Sequence, residues 1–194
     1  YYQSVSRIDQ GVARLVKILK EADLYEKTMI VFTSDHGMAF AGGKTTVYEG
    51  GLRVPFVVRN PYEKKRGVRS SALISHIDIT PTLLDFAGAL DAKHNRPIGW
   101  EDPKSSFPLP KTKAPKDNRG VTGKLSSYHG KSWLSVLGQE NVTHWESIFA
   151  SHTFHEIQMY YPMRVFRDQE FKLIWNIAHP LPYPFASDLW AASS

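Results

Sequence analysis

An aspartate and a histidine stand side by side at Asp35-His36, directly after the apolar run Thr28-Met-Ile-Val-Phe-Thr33 and directly before Gly37. A carboxylate is a hard oxygen ligand suited to Ca²⁺ or Mg²⁺, and a neutral imidazole suits Mn²⁺ or Zn²⁺ better. Open α/β folds bind ligands beyond the carboxyl ends of their strands, so a strand that ends in Asp-His carries these groups to the right edge for a metal. Taken alone, the pair reads equally well as a capping Asp beside a structural His. Lys44 follows Gly42-Gly43. Two glycines let the chain turn sharply and aim the ammonium back toward the strand end, although alone Lys44 is also an ordinary surface lysine. The segment closes with Tyr48-Glu-Gly-Gly-Leu-Arg-Val-Pro55.

The elements that must position these groups can be read from periodicity. Val5, Ile8, Val12, Leu15, Val16 and Leu19 recur at spacings of three and four, which predicts an amphipathic helix from about Ser4 to Ala22. Residues 28–33 form a nearly continuous apolar, β-branched run and read as a strand buried on both faces, as in a parallel sheet. Arg53 to Arg59 reads as a second strand, with Pro55 near its start, where a missing N–H costs least. From His76 to Leu90 a helix is expected: Asp78 or Thr80 can cap it, Pro81 suits its first turn and Gly88 can close it. Asp91 to Tyr128 is rich in Pro, Lys, Ser and Gly and reads as a loop or linker. Lys131 to Leu137 suggests a short helix. Glu146–Ser151 and Arg164–Trp175 read as strands, with a hairpin turn at Arg167-Asp-Gln-Glu170. The expected division is 1–90, 91–128 and 129–194, the end of a large α/β domain leading into a smaller antiparallel α+β region.

The sequence has no cysteine, which rules out disulfides, thiolate metal sites and a cysteine nucleophile within these residues. No apolar run reaches the roughly 18 residues of a membrane-spanning helix. The net charge of +5 gathers at Lys64-Lys-Arg66 with Arg69 and from Lys104 to Lys124. These stretches read as solvated loops or as attraction for a polyanion. No nucleic-acid-binding motif accompanies them, so a polyanionic sugar is the better partner. The opening Tyr1-Tyr2-Gln3 and the closing Ala-Ala-Ser-Ser194 both read as cut ends, so a fragment is expected.

Ser34-Asp-His-Gly37, Gly42-Gly-Lys44 and Tyr48-Glu-Gly-Gly-Leu-Arg-Val-Pro55, in this order and spacing, resemble the sulfatase family of alkaline-phosphatase-like hydrolases. Ser75-His-Ile-Asp-Ile-Thr-Pro-Thr-Leu-Leu84 is similar to the helix that follows in that family. Ala150-Ser-His-Thr-Phe-His-Glu156 and Tyr161-Pro-Met-Arg164 are similar to its heparan N-sulfatase branch. The resemblance is weakest from Asp91 to Tyr128. It implies the C-terminal part of an α/β sandwich followed by the smaller antiparallel region, and hydrolysis of sulfate esters or sulfamates on a sulfated carbohydrate. It also implies that Asp35 and His36 are metal ligands, with His36 standing where many members have Asn. The metal is expected to be Ca²⁺, with Mn²⁺ or Mg²⁺ as alternatives. Lys44 would grip the sulfate, at a step where the heparan N-sulfatase branch has Arg. The family's nucleophile is a formylglycine made from Cys or Ser in a Cys/Ser-x-Pro-x-Arg motif. No such motif occurs in these residues, so the nucleophile and the remaining acidic ligands are expected upstream, in an exported protein.

His155 and Glu156, with His152, could line a sugar pocket or could equally close a polar strand end by hydrogen bonding. Glu49 could act as a base but reads more readily as an anchor of its turn, and Arg53 as an ion-pair partner. Trp175, Tyr183, Phe185 and Trp190 could stack on a sugar or simply pack together. Asn141-Val-Thr143 matches a glycosylation acceptor, relevant in an exported eukaryotic protein. Two other functions share these features: a phosphodiester or phosphonate monoester hydrolase of the same superfamily, and a catalytically silent binder of sulfated glycan.

Overall fold

The computed structural model describes residues 2–93, 95–98, 128–143, 145–155 and 159–184. The chain divides into two compact units, residues 1–67 with 149–194 and residues 68–148. This is a grouping of the chain's own contacts, and it leaves the division at 90 and 128 as an expectation. Most of the expected 91–128 linker lies outside the described residues.

The first unit opens with α1 (Tyr2–Glu21), the helix that the stripe of Val5 to Leu19 predicts. Its apolar side chains remain largely exposed, Ile8 and Leu15 by about half. Among the described residues no helix is long and apolar enough to cross a membrane. A short helical turn, Tyr25–Lys27, leads to β1 (Ile30–Thr33), and β2 (Phe56–Arg59) returns beside it. The run at 28–33, expected in a parallel sheet, is instead paired antiparallel with the second strand, Ile30 opposite Arg59 and Thr33 opposite Phe56. The cross-strand partners Phe32 and Val57 face outward, 37% and 63% exposed. An apolar run marks a strand that tolerates cover on both faces; it carries no information about which strand pairs with it or in which direction. Arg59 ties this strand pair to the helical turn Tyr25–Lys27. Its guanidinium lies 3.6 Å from the Tyr25 ring, donates to the Tyr25 carbonyl at 2.6 Å and pairs with Glu26 at 2.8 Å.

Between the strands, α2 (Glu49–Leu52) is a single helical turn. A three-stranded sheet is built from β5 (Ser147–His155), β6 (Met159–Asp168) and β7 (Lys172–Asn176) in that order. The β6–β7 turn falls where the polar step predicts it: the Asp168 carboxylate accepts the amides of Glu170 and Phe171, at 2.9 and 2.6 Å. One sheet face carries Tyr161, Met163 and Val165, which bury Val47 and Ala178, with Leu52, Ile174 and Tyr183 packed around them. Alternation decides this, since residues two apart on a strand share a face.

The second unit carries α3 (Ile79–Phe86), entered through a helical turn at His76–Asp78. Asp78 or Thr80 is the expected cap; Asp78 is the N-cap residue of α3, though its side chain does not cap that helix, and the preceding turn is capped by Ser75. It forms a capping box with Asp78, whose carboxylate accepts the Ser75 amide at 2.7 Å. The Asp78 side chain is buried and also receives the Lys131 amide at 2.9 Å, so a tertiary partner engages it. Gly88 closes the helix with φ +67°, a conformation that side chains disfavour. The expected helix at 131–137 is a short 3₁₀ turn, Leu134–Val136. Beside it the Trp133 amide donates to buried Thr82 at 3.1 Å. Strands β3 (Leu90–Asp91) and β4 (Arg96–Pro97) form a small antiparallel pair.

Candidate functional site

Beyond Thr33 the chain folds back on itself through glycines. The Gly37 amide donates to the Gly51 carbonyl at 3.0 Å, and the Lys44 amide to the Met38 carbonyl at 2.8 Å. Thr46 Oγ1 donates to the Gly43 carbonyl at 2.8 Å. A Cβ on Gly37 would collide with the Gly50 carbonyl, one on Gly43 with that of Met38, and one on Gly51 with that of Thr46. Backbone lies on backbone here, so the close approach itself selects glycine. Thr45, next to Lys44, sits in the left-handed region with φ +68°. That is a true outlier for a β-branched residue, costing about 1–2 kcal/mol. Its carbonyl accepts the Tyr183 hydroxyl at 3.2 Å.

Asp35 and His36 stand at the head of this loop. The Ser34 hydroxyl donates to the His36 carbonyl at 2.8 Å, and the His36 amide donates to Asp35 Oδ1 at 3.0 Å. His36 Nδ1 lies 2.8 Å from the Gly37 carbonyl. A carbonyl only accepts, so Nδ1 carries the hydrogen, and a neutral ring then presents the Nε2 lone pair. That Nε2 is 3.6 Å from Asp35 Oδ2. Ligands about 2.0–2.5 Å from one ion sit roughly 3–3.6 Å apart at adjacent corners of its shell. The pair therefore has the donor chemistry and spacing of two neighbouring metal ligands, and its second-layer bond to Gly37 orients the ring in the way metal-binding imidazoles require. Desolvation works against ionisation of Asp35, but the adjacent His36, backbone amides and the Ser34 hydroxyl outweigh it and hold the carboxyl below its usual range. Among the described residues, no group of three or more His, Cys, Asp or Glu is arranged to hold an ion.

The structure brings Asp35 and His36 together and puts Lys44, half-buried, on the same glycine-closed loop. His155 ends β5 in the sheet, half-buried. Burial, then the nearby His155, lowers the His152 pKa. Glu156 lies outside the described residues, as do Phe185 and Trp190. Sequence reasoning missed Lys172 and Arg167. Glu49 Oε1 receives Lys172 Nζ at 2.8 Å, with Arg167 Nε at 3.6 Å. The Lys172 hydrogen bond, against desolvation and with help from Arg167 and Arg53, pulls the Glu49 carboxyl below its ordinary range. One signal was available: Arg167 and Lys172 alternate in phase with Met163, Val165 and Ile174, so their charges fall on the sheet face that packs inward.

The sequence model of the Sulfatase family matches residues 1–89. Human N-sulphoglucosamine sulphohydrolase is 32% identical over 193 residues, 98% of this chain and 33% of that protein. The ulvan-active sulfatase of Formosa agariphila is 29% identical over 91% of the chain and 28% of its own length. An N-acetylglucosamine-6-O-sulfatase of Bacteroides thetaiotaomicron is 38% identical over 45% of the chain and 16% of its own length. The chain spans about a third or less of each of these relatives.

Proposed function

Because this chain belongs to the sulfatase family, we propose that it supplies part of the active centre of a hydrolase that releases sulfate from a sulfated glycan. The observation that carries the reading is the Asp35–His36 pair, with carboxylate and imidazole 3.6 Å apart and the ring fixed by Gly37. Asp35 and His36 would hold a divalent cation, Ca²⁺ first, with Mn²⁺ or Mg²⁺ as alternatives. Such an ion, when bound, would neutralise charge on the sulfate oxygens. The chain's own part is to keep the carboxylate ionised through the His36 amide and the Ser34 hydroxyl, to orient the imidazole through its Nδ1 bond to the Gly37 carbonyl, and to bring the Lys44 ammonium to a sulfate oxygen. The formylglycine nucleophile of the family belongs to residues beyond these, and so do further ligands. The α/β sandwich around β1 and β2, and export of the protein, are parts of the same proposal.

The relative matched over nearly the whole chain is named for N-sulphoglucosamine, so an N-sulfated glucosamine unit is the proposed substrate. The net positive charge suits a polyanionic sugar. His155 and Glu156 are proposed to face the sugar. The test is sulfate release from N-sulfoglucosamine by the full-length protein, with and without chelator, alongside an O-sulfated glucosamine and a phosphodiester. Chelator-sensitive sulfate release supports the reading. Phosphate-ester hydrolysis without sulfate release, or glycan binding without turnover, overturns it.

A further inference from the structure

The Glu49 carboxylate is held by two cations that come from the β6–β7 hairpin, far along the chain. Both are largely covered, the Lys172 side chain 16% and the Arg167 side chain 24% exposed. A cation on the core side of a sheet is costly unless a carboxylate meets it. Two cations on one carboxylate fix that carboxylate in place. From Glu49 a short path leads to the candidate ligands. Glu49 opens α2, and Gly51 follows in the same turn. The Gly51 carbonyl receives the Gly37 amide, and the Gly37 carbonyl in turn holds His36 Nδ1. Gly37, Gly50 and Gly51 have no side chains to anchor them, and Val47 is the buried apolar residue of this stretch. The loop is therefore tied to the sheet and core by Val47 and Leu52, by the Thr45 carbonyl on Tyr183 and by the Glu49 carboxylate.

We propose that Lys172 and Arg167 are positioning residues: by clamping Glu49 they fix the turn that holds Gly37, and so set the Asp35–His36 pair in the geometry that binds a divalent cation. This rests on the reading of Asp35 and His36 as metal ligands. It predicts that a hairpin distant in sequence tunes metal affinity without touching the metal.

The test is Mn²⁺ titration calorimetry on the full-length protein and on its Glu49→Gln, Lys172→Met and double variants, with hydrogen exchange as a second readout. Residues that orient metal ligands typically change affinity about 10–100-fold, so each single variant should weaken Mn²⁺ binding by about tenfold. The double variant should be no weaker than the worse single one, because both act through the same contact. The Gly37 amide should exchange faster in each variant while the β6–β7 amides stay protected. Glu49→Gln preserves shape, so it carries the test if Lys172→Met does not fold. Wild-type protein that binds Mn²⁺ and variants that bind it within twofold would sink the clamp and leave the metal reading standing. Wild-type protein that binds neither Mn²⁺ nor, in a parallel titration, Ca²⁺ or Mg²⁺ would overturn the metal reading, and the clamp with it. Loss of β6–β7 protection with Gly37 exchange unchanged would reduce Lys172 to a brace of the hairpin.

Discussion

The backbone amide of Lys131 donates to Asp78 Oδ1 at 2.9 Å, joining the entry of α3 to a segment 53 residues later. The other oxygen of the same carboxylate receives the Ser75 amide. Hydrogen bonds to a charged group are worth about 1.5–3 kcal/mol each, and loss of a buried partner leaves amides unsatisfied. Asp78→Ala should therefore lower stability by about 2–4 kcal/mol. Asp78→Asn should cost less, since it keeps one acceptor. Urea unfolding of the three proteins measures this, and an Asp78→Ala midpoint equal to wild type would show the carboxylate to be dispensable.

Glu49 gives a pH dependence of definite sign. The folded state holds its carboxyl below the ordinary range, chiefly through Lys172, so the unfolded chain takes up the proton first. The stabilisation is fully present above the unfolded value of about 4.3 and is lost as pH falls through the folded value. Glu49 is half exposed, so solvent screening keeps the effect small. The stability gap between wild type and Glu49→Gln should be wider near neutrality than in acid. A gap independent of pH would mean that the carboxylate's charge contributes nothing.

His152 should act in a higher window. Burial and the neighbouring His155 hold its folded pKa below the usual value of 6.5. Below about pH 6.5 the unfolded chain therefore binds more protons, and stability falls as the medium is acidified. His152→Gln should flatten the stability profile on the acid side of about pH 6.5. Stability profiles for the two proteins that stay parallel as pH falls from about 6.5 would refute the assignment.

Lys44→Ala in the full-length protein should reduce kcat/KM by about 10²–10³, the usual loss on deleting one charge-stabilising contact. The fold should survive, because the backbone amide of residue 44, which donates to the Met38 carbonyl, is kept in the variant. Lys44→Arg should recover part of the rate, since a planar fork and a point charge differ in reach. Near wild-type kinetics for Lys44→Ala would make it a surface lysine.

The 194-residue chain by itself should neither turn over an aryl sulfate nor bind Ca²⁺ tightly, because Asp35 and His36 supply few of the six to eight ligands that this ion takes. Chromogenic assay and calorimetry check both halves. Submicromolar Ca²⁺ affinity would mean that the shell is complete within these residues.

Local patterns were legible and distant partners were not. The stripe from Val5 to Leu19 gave α1, and the polar step at Arg167 to Glu170 gave the β6–β7 turn, because each depends on neighbours within a few residues. The antiparallel pairing of β1 with β2 was not legible, because Ile-Val-Phe reads alike beside a parallel or an antiparallel neighbour. Asp78 was legible as a residue at the entry of α3, but its second partner, Lys131, was not, because it lies far along the chain. The Asp35–His36 pair could be named from its order in the sequence. The tilt that brings Nε2 within 3.6 Å of Oδ2 depends on glycine contacts between residues 37 and 51, which no one-dimensional pattern spells out. Glu49 was weighed chiefly as an anchor of its turn, yet the cations that meet it lie 118 to 123 residues away by number, beyond any local pattern.

Thr45 bears on how this loop would tolerate change. A β-branched residue at φ +68° occupies ground that Gly takes freely and Asn or Asp take at low cost. A saturation library at position 45, sorted for folded protein, should thus enrich Gly and Asn over Thr, and should deplete Val and Ile. Sorted instead for activity, the same library should favour Thr over Gly, if the stiffness of that residue keeps Lys44 aimed. The two sorts would then disagree at one codon, a local measure of how far foldability has been given up for function beside the lysine.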